Sequence, residues 1–361
     1  MLPSQRISEV RSGGDEHVLV LDREDIRWLC GFSGSVSRLV VSPESGEAWC
    51  IVDGRYVERA NDEIARHGAP VQVVSVSSGE SMDDIVARLV GGAPVLLDAR
   101  HVSVAQFEAL RATCSVTAGT TNIRDLRRVK TTAEIDLIAR AASIADEALQ
   151  SVVSDGLCGR SESTLRNRLD FVMRDLGAED VAFDTIVASG PNGARPHHEP
   201  GDRVVEPGDA VVIDMGARVG GYRSDMTRTV MVGTPDPEIA RMRDLVAEAQ
   251  SAAVAAVRDG VPGRDVDAAA RSVFEREGLA HEYLHSTGHG VGLAIHEEPI
   301  LGPSCTAVLR EGEVVTAEPG LYRVGVGGVR IEDLLVVTCG SSRLLTLTPK
   351  DLSCPPSRPT I

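Results

Sequence analysis

Aromatic residues are scarce: two Trp, four Tyr and five Phe in 361 residues, or 3% of the chain. Any core must therefore be aliphatic, and hydrophobic residues at 42% are enough to build one. The seven cysteines include no CxxC pair, and their odd number argues against a disulfide framework. Buried or idle thiols in a reducing compartment are the expectation. No apolar stretch approaches the length of a membrane span. The opening MLPSQRISEV lacks a basic segment followed by an apolar run, so no signal peptide is expected and a cytoplasmic location follows. Positive charge is short as well. A formal net charge of −16 argues against nucleic-acid or anionic-lipid partners, which need clustered Lys and Arg.

The length suits two domains. Residues 1 to about 125 alternate short strand-like runs, near 18–21, around Trp49, from Val71 and from Ala93, with helical stretches at Arg55–Arg66 and Ser81–Leu89. This is an α/β pattern. The small, polar segment Thr117–Thr121 is the expected boundary, giving domains over 1–125 and 126–361.

Beyond it the order is two helices, then strands, twice over. Thr131-x-x-Glu134 is a capping box, and Ile135, Ile138, Ala142, Ala145, Leu149 and Val152 follow at helical spacing. A second helix is expected over Ser161–Leu176, stopped by Gly177, then strands at Thr185–Ser189, Ala210–Asp214 and Thr227–Val232. Asp236-Pro237 opens a third helix, a fourth spans about Asp265–Glu277, and strands return at Glu313–Ala317 and Val329–Val337. The two halves share detail. His198-Glu199-Pro200 has a counterpart in His296-Glu297-Glu298-Pro299. In each half a turn glycine, Gly208 or Gly312, is followed six residues on by a carboxylate ending an apolar strand, Asp214 or Glu318. A second carboxylate follows each, Asp225 or Glu332. A duplicated domain would bring these four together on facing strands.

A lone carboxylate at a strand end is ordinarily solvated, but a repeated pattern beside a histidine cluster is not ordinary. His285, His289 and His296 fall within twelve residues, and Gly288 and Gly290 flank His289, allowing close backbone approach. His197 and His198 follow a GPNGARP loop in the first half. One imidazole and four carboxylates form a ligand set for two ions such as Mn, Co or Zn. Paired ions roughly 3.5–4 Å apart activate water for hydrolysis at neutral pH.

The motifs IDMGARVGGYRSDMTRT, HSTGHGVGLAIHEEP, TAEPGLY and GGVRIED resemble those of the pita-bread metallopeptidase family M24, which includes methionine aminopeptidase, aminopeptidase P and prolidase. The spacings fit: 11 residues from Asp214 to Asp225, 29 from His289 to Glu318 and 14 from Glu318 to Glu332. The resemblance implies an α+β pita-bread catalytic domain with duplicated halves behind an α/β creatinase-like N-terminal domain. It implies Asp214 on one metal, His289 and Glu318 on the other, and Asp225 and Glu332 bridging both. Glu318 would also assist in deprotonating water. His197, assigned over His198 from its place after Pro196, and His296 would bind the scissile carbonyl. Arg195 stands where the family usually has leucine.

The segments Trp28–Ser35 and Val52–Tyr56 resemble the creatinase-like N-terminal domain, which prolidase and aminopeptidase P have and methionine aminopeptidase lacks. This branch implies cleavage of the bond before proline in a short peptide, with two divalent ions (manganese, or else cobalt or zinc) and a homodimer. His285, Tyr322 and Arg330 match positions of the proline pocket and its supports, although packing or ion pairing explains Tyr322 and Arg330 nearly as well. Two other readings stand beside this one: a metal-dependent hydrolase of another small amide, and a binding module that has lost catalysis.

Overall fold

The computed structural model describes residues 1–10, 15–42 and 46–356. The chain divides into two compact units, residues 1–127 and 128–361.

The first unit is built on a six-stranded mixed sheet. Its order is Gln72–Ser75, Ala48–Val52, Ser37–Val41, His17–Val20, Val95–Asp98 and Val116–Gly119. Its core is aliphatic, as the shortage of aromatics requires, with Leu19, Val40, Ile51, Ile85, Leu97 and Leu110 all buried. The expected boundary segment Thr117–Thr121 is no linker: its first three residues belong to the sixth strand, and the helix Ile123–Arg128 follows. Small polar side chains fit there because an edge strand pairs through its backbone and is half exposed.

The second unit has the expected doubled architecture. The helices Thr132–Ser154 and Glu162–Asp175 pack on Ile186–Ser189, Ala210–Met215 and Met226–Val232 in one core. The helices Pro237–Ala256 and Gly263–Arg276 pack on Val314–Ala317 and Asp333–Val337 in another. Local chemistry fixes the helix starts. Thr131 Oγ1 accepts from Glu134 N (3.3 Å) while Glu134 Oε2 accepts from Thr131 N (2.7 Å). Ser161 caps through Thr164 N, and Asp236 through Glu238 N ahead of Pro237 at the first turn.

Each half ends in an antiparallel pair that carries the acidic residues. Asp214 lies opposite Thr227 in the first, and Ala317 opposite Asp333 in the second. The expected strand Val329–Val337 is two strands, Gly327–Arg330 and Asp333–Val337, broken at Ile331-Glu332. The chain changes partner there. Gly327–Arg330 pairs with Gly320–Arg323, Asp333–Val337 pairs with Val314–Ala317, and Glu332 N donates to Thr227 O (3.1 Å) in the other half. Among the described residues no helix is long and apolar enough to cross a membrane.

Candidate metal centre

Because side chains alternate along a strand, a residue two places from a carboxylate shares its face. Each half uses this rule. Thr227, two beyond Asp225, donates its hydroxyl to Glu332 Oε2 (2.8 Å). Thr316, two before Glu318, donates to Glu318 Oε1 (3.3 Å) and accepts from His289 N (3.1 Å). The alternation also separates neighbours. Glu332 faces the acidic cluster, whereas Asp333 is held by Arg228 Nη2 (2.7 Å), Gln250 Nε2 (2.8 Å) and Lys350 Nζ (2.9 Å).

Asp214, Asp225, His289, Glu318 and Glu332 line one cavity of about 430 Å³. His289 Nε2 lies 3.3 Å from Glu318 Oε1 and 3.6 Å from Asp225 Oδ2. One ligand atom each from Asp225, His289 and Glu332 fall within 4.8 Å of one another. The tight lattice explains the flanking glycines. A Cβ on Gly288 would lie 2.1 Å from Thr316 O, so the strand bearing His289 can approach its neighbour only without one.

The electrostatics are lopsided. Burial first, then the charges of Glu332, Asp214 and Glu318, push the Asp225 carboxyl well above the ordinary range. Burial, then Glu318 and Asp214, do the same to Glu332, and burial raises Glu318. The nearby cation is Arg330, whose Nη2 donates to Asp214 Oδ2 (2.7 Å), Nε to Thr227 Oγ1 (3.0 Å) and Nη1 to the Tyr322 hydroxyl (2.9 Å). Asp214 Oδ1 and Glu332 Oε1 are buried without a hydrogen-bond partner among the described residues. Orphaned buried oxygens are costly in a folded protein and call for an occupant. Burial lowers the pKa of the His289 ring. Its Nδ1 sits 3.1 Å from Gly290 O, which makes Nδ1 the donor and leaves the Nε2 lone pair toward the carboxylates. The donor set therefore fits divalent ions.

Around these five, His296 packs edge-on against His289 with ring centroids 4.5 Å apart, and burial lowers its pKa. His285 Nε2 meets the Tyr322 hydroxyl at 2.8 Å, and burial pushes that phenol up to about 12. His197 lines the cavity, but His198 does not: its Nε2 lies 2.8 Å from Glu162 Oε2. The likeness of His198-Glu199-Pro200 to the segment at His296 is thus one of sequence rather than placement. Phe183, Ile186, Ile295 and Ile300 give the cavity an apolar side. Tyr322 is not among the lining residues, whereas Arg330 is.

Thr227, Thr316 and Glu162 are the contributors that sequence reasoning passed over. The first two had a signal in their two-residue offset from a motif carboxylate. Glu162, distant in sequence, had none.

A second group of potential ligands, Asp22, Asp25 and His101, lies in the first unit. Protein cations stand beside it, although burial still raises the Asp25 carboxyl and His101 Nδ1 has no hydrogen-bond partner among the described residues. Arg127 Nη1 donates to Asp25 Oδ1 (2.6 Å), Arg124 contacts His101, and the adjoining cavity is only about 10 Å³.

Comparison with known proteins agrees with this geometry. Residues 136–339 match metallopeptidase family M24, and residues 8–129 match the creatinase/prolidase N-terminal domain. An uncharacterized peptidase of Bacillus subtilis, YqhT, is 35% identical over 344 residues, covering 94% of this chain and 96% of its own. The solved structure of an Xaa-Pro dipeptidase from Bacillus anthracis superposes with a TM-score of 0.90 at 33% identity, covering 98% of this chain and 99% of that one. An X-Pro aminopeptidase from Thermotoga maritima gives 0.85 at 32% identity, covering 95% and 98%. The doubled catalytic unit is the pita-bread fold, and the chain belongs to metallopeptidase family M24.

Proposed function

We propose that this protein is a metal-dependent exopeptidase that hydrolyses the bond preceding proline at the N-terminus of a short peptide. One observation carries the reading. Four carboxylates and an imidazole converge on one cavity whose lining, among the described residues, includes one guanidinium, already committed to Asp214, and two orphaned oxygens. The family, and relatives called Xaa-Pro dipeptidase and X-Pro aminopeptidase, supply the reaction class. In this reading residues 126–361 form the catalytic domain and 1–125 the creatinase-like one.

Asp214, Asp225, His289, Glu318 and Glu332 would hold two divalent ions, manganese before cobalt or zinc because oxygen ligands predominate. Bound ions supply Lewis-acid activation of water and of the scissile carbonyl. The chain's own residues do the rest. Proline makes the amide tertiary, with no N–H, so the departing nitrogen must receive a proton. Glu318, on the cavity wall beside His289, takes a proton from the attacking water on a carboxylate oxygen and returns it to that nitrogen. His197 and His296 present ring N–H groups to the developing oxyanion. The apolar side of the cavity suits the pyrrolidine ring. His285, on the cavity lining and bonded to the Tyr322 hydroxyl, would complete the proline pocket, and Arg330, engaged with Asp214, Thr227 and Tyr322, orients Asp214. A homodimer in the cytoplasm completes the proposal.

The test is direct. Chelator-stripped protein is reloaded separately with Mn, Co or Zn, and an Xaa-Pro dipeptide and an Xaa-Pro-Yaa tripeptide are followed by mass spectrometry. Metal-dependent cleavage of either is expected, and the preferred length separates dipeptidase from aminopeptidase. Stoichiometric metal without cleavage of either peptide would reject the substrate class.

A further inference from the structure

The loop that carries His197 runs from Gly190 to Gly201 and is gripped by one side chain outside it. Glu162, in the first turn of the helix Glu162–Asp175, is fully buried. Its Oε1 accepts from Ser189 N (2.8 Å), Ser189 Oγ (2.7 Å) and Asn192 Nδ2 (3.0 Å). Its Oε2 accepts from His198 Nε2 (2.8 Å) and Gly201 N (3.2 Å). Burial by itself would raise this carboxyl, but the hydrogen bonds from Asn192, Ser189 and His198 outweigh it and hold the group below its ordinary pKa. One side chain thus collects donors from both ends of the loop.

The loop is also fixed on another side. A Cβ on Gly328 would lie 2.1 Å from Gly193 O, so loop and strand Gly327–Arg330 touch backbone to backbone. Between these two holds, His198 is drawn inward to Glu162 while its neighbour His197 lines the cavity with no hydrogen-bond partner among the described residues. A side chain that must meet a developing charge needs its backbone set by other groups.

We infer that Glu162, acting through His198 and the loop backbone, is a positioning residue that presents His197 to the substrate. The inference rests on the reading that His197 contacts the scissile carbonyl. A purely structural Glu162 would lower stability and affect catalysis independently of His197. A positioning Glu162 would act only while His197 is there to be positioned.

The experiment is a double-mutant cycle with Glu162→Gln, His197→Ala and both together, in metal-loaded enzyme, with metal content and melting recorded for each. Glu162→Gln is expected to lower kcat roughly 10- to 100-fold, the order that a small misplacement costs, with KM and metal content nearly unchanged. In the His197→Ala background the same change should alter kcat by less than about twofold, because the two act as one unit. His198→Gln, which keeps a donor, should retain most activity. Multiplying effects, or a Glu162→Gln enzyme with full kcat, would overturn the inference. If Glu162→Gln does not fold, His198→Ala removes one donor and carries the same cycle. Crystal structures of wild type and Glu162→Gln give an arm free of activity: His197 displaced in an unchanged fold is expected, and His197 in place overturns the inference. A wild type that cleaves neither peptide, with His197 displaced in the variant, would fault the substrate reading and leave the positioning intact.

Discussion

Among the described residues two groups of acidic residues and histidine stand together, one in each unit, and they differ in what surrounds them. In the first unit, burial raises the Asp25 carboxyl, and Arg127 at 2.6 Å offsets part of that rise. In the second, Asp225 and Glu332 are just as buried, but their neighbours are other carboxylates, and Arg330 is spent on Asp214. The adjoining pair Glu332 and Asp333 repeats the lesson one residue apart. Asp333 is held low by Arg228 and Lys350 against its burial, while Glu332 is pushed up. Carboxylates balanced by protein cations are structural, and carboxylates left in excess await a cation from outside.

The comparison can be broken or sharpened by experiment. The largest expected effect is that of Asp225→Asn. Losing a proposed metal ligand should remove several kcal/mol of transition-state stabilisation, so kcat/KM for an Xaa-Pro peptide should fall about 10³-fold or more, with metal content reduced. The matching change in the first unit, Asp25→Asn, should replace the charged partner 2.6 Å from buried Arg127 by a neutral one, with Asp22 still 3.9 Å away. A stability loss of about 1–3 kcal/mol is expected in denaturant unfolding, with metal content and activity per folded molecule within about twofold of wild type. Next comes Thr227→Val, which takes a hydrogen bond from Glu332 and an acceptor from Arg330. A 10- to 100-fold weakening of metal affinity by titration calorimetry is the expectation.

The smallest effect is in pH. Carboxyls raised in the folded state bind more protons than in the unfolded chain. Their contribution to stability is therefore full below the ordinary carboxylate range and is lost as pH rises through the raised values. Metal-free protein should melt at progressively lower temperature as pH rises above about 5, while metal-loaded protein should not. Binding should release protons, measurable by calorimetry in buffers of different ionisation enthalpy.

Much of this was legible beforehand. The Thr131 capping box, the helical spacing from Ile135 to Val152 and the repeated strand-end carboxylates announced the doubled unit, because local periodicity and capping decide those elements. The five candidate ligands stood out for the same reason: acidic residues ending apolar strands are conspicuous. What was not legible depends on tertiary partners. The break at Ile331-Glu332 arises from a change of pairing partner, and the strand Val116–Gly119 from a neighbouring strand at the sheet edge. His198 turns from the cavity because of a carboxylate 36 residues away, and no pattern in the sequence links it to Glu162.

The central claim is that the unbalanced cluster, and not the balanced one, takes metal. The most direct measurement is divalent ions bound per chain, by mass spectrometry of the elements after chelation and reloading, for wild type, Asp25→Asn and Asp225→Asn. The account predicts two ions in wild type, two in Asp25→Asn and fewer in Asp225→Asn. No metal in wild type, or a loss in Asp25→Asn that Asp225→Asn does not share, would contradict it.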